Sequence, residues 1–230
     1  MKTCISVIAL LFTWVSAIAQ TPQTIMMDNN KISAKSIKPE LQLLFPDYQS
    51  GRVILKNLPD VKCQLNYNFL LDEILFIDVN GNKMALANQN DVLQVFIGNR
   101  LFIPSAKGYF EVIENGVVSL IYKWNCNIIE KGKEGALGVK TDAPSVVQMN
   151  QISFDAKTWK LDVDKEALVT VEVIPFLKAK SKLIQVKGAK DFYKAFPGRT
   201  PQMKTYILRN PVDFKKEADL RRLIKYCNTL

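Results

Sequence analysis

Hydrophobic and polar residues alternate along the chain from Gly51 to about Ile129, and this period of two is typical of half-buried β-strands. Three tight-turn dipeptides interrupt the alternation: Asn80-Gly81, Gly98-Asn99 and Asn115-Gly116. Such dipeptides favour hairpins, because their backbone twist matches that of the flanking antiparallel strands. With further strand-like segments near residues 52–57 and 61–71, the pattern predicts an antiparallel meander of about eight strands.

The pattern changes on both sides of this region. Residues 20–36 are polar with little periodicity and predict a loose N-terminal arm, and the following segment from Ile37 to Tyr48 fits either a short helix or a docking strand. Residues 131–150 are rich in glycine and predict a surface loop or linker. Strand character returns at residues 169–174 and 183–186, which predicts a second hairpin.

The last part of the chain has a helical period. Lys190 to Phe196 is expected to form a short amphipathic turn that ends at Pro197-Gly198. A helix is expected from Thr200, as its cap, to about Arg209. A last helix is expected to be capped by Asp213. Its apolar residues recur with the spacing of one helical face: Leu220, Leu223, Ile224 and Cys227.

These patterns predict a mainly β (α+β) fold. The antiparallel meander would form a sheet, a sandwich or a partly closed barrel, with a small C-terminal helical cap. The expected divisions follow chain order: a signal peptide at 1–19, an N-terminal arm at 20–46, the β-meander domain at 47–130, a loop or linker at 131–150, and a β-hairpin with a basic helical subdomain at 151–230.

The first residues have the features of a signal peptide. Lys2 precedes a short apolar run that ends at Ala17-Ile18-Ala19, the small-x-small pattern of a cleavage site. Cleavage would leave Gln20 as the first residue of the mature protein. Since Cys4 lies before the apolar run, it is not placed to be lipidated. We therefore expect an exported protein, periplasmic or extracellular, that is not a lipoprotein and has no transmembrane segment.

The chain contains no histidine, which argues against Ser-His and Cys-His nucleophile pairs and most transition-metal sites. Three cysteines remain after Gln20: Cys63, Cys126 and Cys227. Their odd number and apolar neighbours predict reduced, buried thiols and not a disulfide framework. No cofactor-binding motif occurs, and no cofactor is expected.

Positive charge is concentrated at the C-terminal end. Residues 20–175 carry 16 basic and 18 acidic side chains, whereas residues 176–230 carry 14 and 4. At 100° per residue, four cations fall opposite the apolar stripe of the last predicted helix: Lys215, Arg221, Arg222 and Lys225. They define a candidate surface for an anionic envelope lipid or glycan, while a solvated face without a dedicated partner is the simpler interpretation. Nucleic acid is disfavoured, because most aromatic residues of the tail have core-like spacing.

Three groups of acidic residues could suggest a catalytic or calcium site, but each has a simpler structural explanation. Asp72 and Glu73 are expected to point to opposite faces of a strand, unless a turn or bulge near Asp72 resets the alternation, which is the favoured explanation. The run from Asp78 to Asn82 resembles the start of a calcium loop but lacks the later ligands, so a plain hairpin is expected. The acids at Asp162, Asp164 and Glu166 alternate along an extended stretch and could form a weak calcium site, but Lys160 and Lys165 beside them favour an ordinary solvated edge.

Several segments resemble a group of exported hypothetical proteins of Bacteroidota. The segments that carry the resemblance are Leu43 to Tyr48, Leu65 to Asn68, Asp72 to Asp78, Ala85 to Asn88, Asp191 to Pro197 and Asp213 to Glu217. The resemblance covers most of the chain after Gln20 and implies a Gram-negative envelope setting. It implies no activity, ligand or catalytic residue.

The sequence thus favours a non-enzymatic binding or interaction protein of the cell envelope with a basic C-terminal face. The alternative is a carrier that holds a small apolar ligand inside the β-domain. An enzyme that uses Glu73 with a second carboxylate is the least supported of the three. The protein partner, if there is one, is not indicated by any pattern.

Overall fold

The computed structural model describes residues 23–26, 31–33, 41–130, 146–148, 158–160, 166–180 and 182–230. The predicted signal peptide, most of the predicted arm and of the 131–150 segment, and the acids Asp162 and Asp164 lie outside these residues. The side chain of Glu166 is also outside the described part.

Fourteen strands and three α-helices are described. The strands are β1 Gln23–Met26, β2 Lys31–Ser33, β3 Gln49–Leu55, β4 Val61–Asn68, β5 Glu73–Ile77, β6 Lys83–Ala85, β7 Val92–Ile97, β8 Arg100–Pro104, β9 Tyr109–Glu114, β10 Val118–Glu130, β11 Val146–Gln148, β12 Thr158–Lys160, β13 Glu166–Ala179 and β14 Lys182–Gln185. The helices are α1 Ala189–Ala195, α2 Thr200–Arg209 and α3 Glu217–Thr229. The prediction of a mainly β fold with C-terminal helices is confirmed.

Most strands belong to one antiparallel sheet. Ten of them follow the order β1-β13-β10-β9-β8-β7-β3-β4-β5-β6, and this path does not close on itself within the described chain. β11 pairs with β10, β14 pairs with β13, and β2 with β12 forms a separate two-stranded pair. β10 and β13 are in register over 13 residue pairs, from Val118 with Ala179 to Glu130 with Ala167. The C-terminal hairpin is therefore part of the same sheet as the meander.

The three predicted hairpins are present, and their loops differ in length. Gly98-Asn99 forms a two-residue loop between β7 and β8, with Gly98 at a φ of 57°. The loop at Asn80-Gly81 spans residues 78–82, because the Asp78 carboxylate accepts hydrogen bonds from the amides of Asn80 (2.9 Å) and Asn82 (2.7 Å). The hairpin interpretation of this segment is thus confirmed, with a longer turn than the dipeptide alone predicts.

The helices occur where the periodicity predicts them, but two predicted caps are wrong. Arg199 occupies the N-cap of α2, so that Thr200 is already helical and caps nothing. α3 begins at Glu217, because Asp213 forms a turn in which its carboxylate accepts the Lys215 amide (2.9 Å). The Asp213 amide in turn donates to the carboxylate of Asp219 (2.9 Å).

The sheet presents two different faces along β7–β10 and β13, since alternate side chains of a strand share a face. We call one the core face; its residues are buried and include Val95, Phe102, Ile113, Leu120 and Leu177. We call the other the open face; its residues include Gln94, Leu101, Val112, Ser119 and Lys178, which are at least partly exposed.

Helix α3 packs on the core face at β9 and β10. The predicted stripe of Leu220, Leu223, Ile224 and Cys227 is buried there, in a cluster that also contains Leu120 and Phe192. The carboxamide of Asn228 completes the docking: it accepts the Val118 amide (3.0 Å) and donates to the Val118 carbonyl (2.9 Å). A side chain thus occupies the position beside β10 that lies beyond the end of β9.

The segment before β3 docks without becoming a regular helix or strand. Leu43 forms an isolated antiparallel bridge with Asn68, and the Leu44 amide donates to the Tyr67 carbonyl (2.9 Å). The buried Asn66 side chain bonds to both the amide (3.2 Å) and the carbonyl (2.8 Å) of Phe45. Residues 41–45 therefore continue the line of β3 along β4, as the docking-strand alternative predicts, but they form a single isolated bridge and not a regular strand.

All three described cysteines are free thiols, but only two of them are buried. Burial raises the pKa of Cys126 and of Cys227 to about 12. The prediction that Cys63 is buried is wrong, since this residue is half-buried. Its cross-strand partner on β3 is Gly51, which has no side chain to cover the thiol.

Candidate functional site

A turn between β4 and β5 brings Asp72 into the interior. The Asn68 carboxamide ends β4 by accepting the amides of Leu70 (3.0 Å) and Leu71 (2.9 Å). Asp72 follows with a φ of 57°, in the left-handed region that aspartate and asparagine tolerate better than most residues. Its side chain is only 13% exposed. The predicted turn near Asp72 is confirmed, and Asp72 is the inward acid.

Three donors hold the Asp72 carboxylate, and two of them come from distant parts of the chain. Oδ1 accepts the Tyr67 hydroxyl (2.6 Å) and the Tyr109 amide (2.9 Å). Oδ2 accepts the ammonium group of Lys123, which also donates to the carbonyls of Lys107 and Tyr109 (both 3.1 Å). The ion pair therefore fastens the β4–β5 turn to β9 and to β10.

Close packing around the carboxylate explains the residue at position 108. A Cβ atom on Gly108 would coincide with the Asp72 carboxylate, and Gly108 has a φ of 72°. Glycine meets both requirements, because it has no Cβ and adopts positive φ without strain.

The electrostatics of the cluster combine burial with an opposite charge. Burial raises the pKa of Asp72 above its ordinary value, and Lys123 is the largest influence in the opposite direction. Burial, followed by the charge of Asp72, raises the pKa of Tyr67 well above its usual range. Because three groups donate to the carboxylate and Lys123 carries the opposite charge, the arrangement fixes the turn.

A second buried carboxylate is engaged just as completely. Arg100 binds Glu111 through two parallel bonds, Nε to Oε1 and Nη2 to Oε2, each 2.6 Å long. The Trp124 indole also donates to Glu111 (2.9 Å). The Arg100 guanidinium lies over the rings of Trp124 (5.3 Å) and Phe45 (5.6 Å). This bidentate pair links β8, β9 and β10 and is structural.

Asp72 and Glu73 line one depression of about 350 Å³, together with Tyr109. The positive φ of Asp72 interrupts the strand alternation between these adjacent carboxylates, as the favoured interpretation of a turn predicts. The Tyr109 hydroxyl is buried with no hydrogen-bond partner among the described residues, and burial raises its pKa to about 12. The sequence patterns did not predict the cluster of Tyr67, Asp72, Tyr109 and Lys123. The one feature of the sequence that pointed to it was a carboxylate at the junction of two predicted strands.

The four cations of the predicted anionic-partner surface have different environments. Arg221 pairs with Glu217 (2.7 Å) and Glu114 (3.6 Å), and it donates to the Ile113 carbonyl. Lys225 also pairs with Glu114 (3.6 Å).

The other two cations of this set lie apart from Glu114. Arg222 pairs with Asp219 (2.6 Å), within α3. Lys215 is exposed and lies in the turn before α3, so its predicted position on the helix is wrong. The structure therefore brings together Arg221 and Lys225 only, and it pairs three of the four charges with carboxylates.

The chain matches no protein-family model, no curated protein and no solved structure. Within the described residues, no helix combines the length and the apolar character that crossing a membrane requires.

Proposed function

We propose that this protein is a non-enzymatic interaction protein of the cell envelope, whose basic C-terminal subdomain binds an anionic partner, a lipid surface or an acidic glycan. The exported location is supported by the signal-peptide pattern at residues 1–19 and by the resemblance to exported proteins of Bacteroidota. The binding role is supported by the distribution of unpaired charge described next.

The observation that carries the proposal is a set of uncompensated cations. Residues 176–230 contain four acidic side chains, and each of the four is engaged by a neighbouring cation. Five of the fourteen cations are used in ion pairs: Lys194, Lys216, Arg221, Arg222 and Lys225. The remaining nine are exposed and have no ion-pair partner in the part of the chain that is described: Lys178, Lys180, Lys182, Lys187, Lys190, Arg199, Lys204, Arg209 and Lys215.

Helix α2 adds an apolar group to this surface. Leu208 is 84% exposed and lies beside Arg209 and one turn after Lys204. An anionic surface attracts each nearby lysine or arginine by about 1 kcal/mol, and an exposed leucine gains further free energy only where it enters an apolar medium. Several cations together give weak, salt-sensitive association and not stable anchoring.

The packing of the β-domain supports this role over that of an apolar-ligand carrier. The described core residues form two clusters whose largest fully buried side chains include Tyr67, Phe69, Phe102 and Phe192. A carrier would need an apolar space in place of such side chains.

Co-sedimentation with vesicles of phosphatidylglycerol and phosphatidylcholine, and with an acidic polysaccharide, tests the proposal. The variant K190Q/R199Q/K204Q/R209Q removes four unpaired charges and is expected to bind at least tenfold more weakly at low salt. The matched variant K194Q/K216Q/R222Q/K225Q removes four paired charges and is expected to bind more tightly than the first. Binding by neither ligand, or equal binding by the wild type and both variants, would contradict the proposal.

A substitution of Leu208 separates the two kinds of partner. For a lipid surface, Leu208→Ser is expected to weaken vesicle binding further, because the exposed apolar side chain is lost. For an acidic glycan, the same substitution is expected to leave polysaccharide binding unchanged.

A further inference from the structure

A second depression lies on the open face of the sheet, where two turns meet. Val118 pairs with Ala179 and Ser119 pairs with Lys178, so the turn after β9 and the turn after β13 lie side by side. The depression between them and β8 has a volume of about 260 Å³. This is slightly below the usual range of small-molecule sites, about 300–1,000 Å³, so its ligand is small.

One part of this depression is apolar. Leu101, Ile103 and Val112 line it, and Leu101 and Val112 are cross-strand partners. All three side chains lie on the open face, opposite the packed core, and all three are partly exposed. They form a floor that can contact the apolar body of a ligand.

The rim of the depression is cationic. Lys178 and Lys180 line it, both are exposed, and neither has an ion-pair partner among the described residues. No carboxylate is among the described lining residues. Glu114, at the end of β9, is occupied by Arg221 and Lys225 of α3.

Neutral donors complete the rim. The carboxamide oxygen of Asn115 accepts the Ser119 hydroxyl (3.0 Å) and the Gly116 amide (3.1 Å). Because an amide N–H can only donate, these bonds identify the oxygen and leave the Asn115 NH₂ group as an available donor. Gln94 lines the opposite side of the depression with a second carboxamide.

We propose that this depression binds a small amphipathic anion, with its anionic oxygens at Lys178 and Lys180 and its apolar body on Leu101, Ile103 and Val112. The charge of the rim selects a carboxylate or phosphate over a neutral head, and the floor selects an apolar tail over a free inorganic anion. The inference goes beyond the proposed function: Lys178 and Lys180 belong to the nine unpaired cations, but none of the four cations changed in K190Q/R199Q/K204Q/R209Q is among the described lining residues, so the two proposals are tested separately.

The turn offers a variant that removes charge without harming the fold. Lys180 has a φ of 52°, a conformation that asparagine adopts more readily than lysine does. Lys180→Asn is therefore expected to leave stability unchanged or raised. The double variant K178Q/K180N removes both cations of the rim. The matched control K187Q/K190Q removes two other exposed lysines of the same subdomain.

Titration followed by amide chemical shifts tests the proposal, with octanoate, octyl phosphate, octanol and acetate as probes. Saturable binding of octanoate or octyl phosphate is expected, with shifts at residues 112–119 and 178–180, and the two probes distinguish the carboxylate from the phosphate. Octanol lacks the anionic group and acetate lacks the apolar chain, so both are expected to bind at least tenfold more weakly. K178Q/K180N is expected to lose at least tenfold in affinity, while K187Q/K190Q retains it.

A second variant tests the floor alone. Val112→Thr keeps the size of the side chain and is expected to weaken octanoate binding without moving either lysine. No saturable binding of either anionic probe, equal affinity for octanol, or the same loss in K187Q/K190Q as in K178Q/K180N would each overturn the proposal.

Discussion

The ion pair of Lys123 and Asp72 joins residues that are 51 positions apart in the chain. Both side chains are nearly buried, at 14% and 13% exposure. Removing one partner of such a pair leaves a charge in a poorly solvated place, which costs far more than the loss of a surface pair. At the residue scale, this pair is therefore where the fold depends most on single side chains.

Lys123→Met is expected to destabilise the protein in a pH-dependent way. Burial raises the pKa of Asp72 above its ordinary value, so the folded protein binds this proton more tightly than the unfolded chain does. Protonation of Asp72 therefore adds to the free energy of unfolding at low pH, and this contribution is lost as the pH rises through the raised pKa of Asp72. Without Lys123, which lowers this pKa, the loss should be larger, about 3 kcal/mol at about pH 8 and clearly less at about pH 5. Urea unfolding at both pH values measures it.

The control for this prediction is the double variant Asp72→Asn with Lys123→Met. Asparagine tolerates the positive φ at position 72 and does not titrate, so the difference between the two pH values should disappear. An equal loss at both pH values in Lys123→Met alone would contradict the assignment to Asp72.

At the scale of the element, α3 is held on the sheet by its apolar stripe and by one side chain, which forms the two backbone hydrogen bonds that a neighbouring strand would form. The Asn228 carboxamide pairs with both backbone groups of Val118, which is buried. Apolar contacts are not directional, whereas these two hydrogen bonds also determine where along β10 the helix lies.

Asn228→Ala is expected to lower the free energy of unfolding by about 2 kcal/mol, because two buried backbone groups lose their partners. Thr229→Ala is the matched control: its hydroxyl is exposed and bonds only within the helix, to the Tyr226 carbonyl (2.7 Å). That change should cost less than about 0.5 kcal/mol. Urea unfolding curves of the two variants compare them directly, and equal midpoints would be evidence against the docking role.

The elements were more predictable than the site. Turn dipeptides and alternation identified the hairpins at Gly98-Asn99 and Asn115-Gly116, because both signals are local. The pairing of β13 with β10 and the meeting of Asp72 with Lys123 depend on contacts between distant residues, which no local pattern encodes. The cap at Asp213 was mispredicted because its carboxylate accepts the Lys215 amide in a competing turn. The cap at Thr200 was mispredicted because α2 begins one residue earlier than the sequence indicates, with Arg199 as its N-cap.

The whole molecule is expected to act only after processing. The pattern Ala17-Ile18-Ala19 predicts that the exported protein begins at Gln20, since signal peptidase requires small residues at these positions. N-terminal sequencing of the envelope fraction should find Gln20, and Ala19→Lys should retain the longer chain. An intact Met1 in the exported wild-type protein would show that this prediction is wrong.

The open path of the sheet has a consequence for aggregation. A sheet that does not close exposes strands whose unpaired amides and carbonyls can recruit a further chain. Here one terminal strand is β6, which has only three residues, all exposed, and which includes Lys83. Near the other terminus, β14 presents Lys182 beside the exposed Leu183. Short strands that carry lysine are poor templates for polymerisation. We therefore expect neither β6 nor β14 to recruit a further strand from a second molecule.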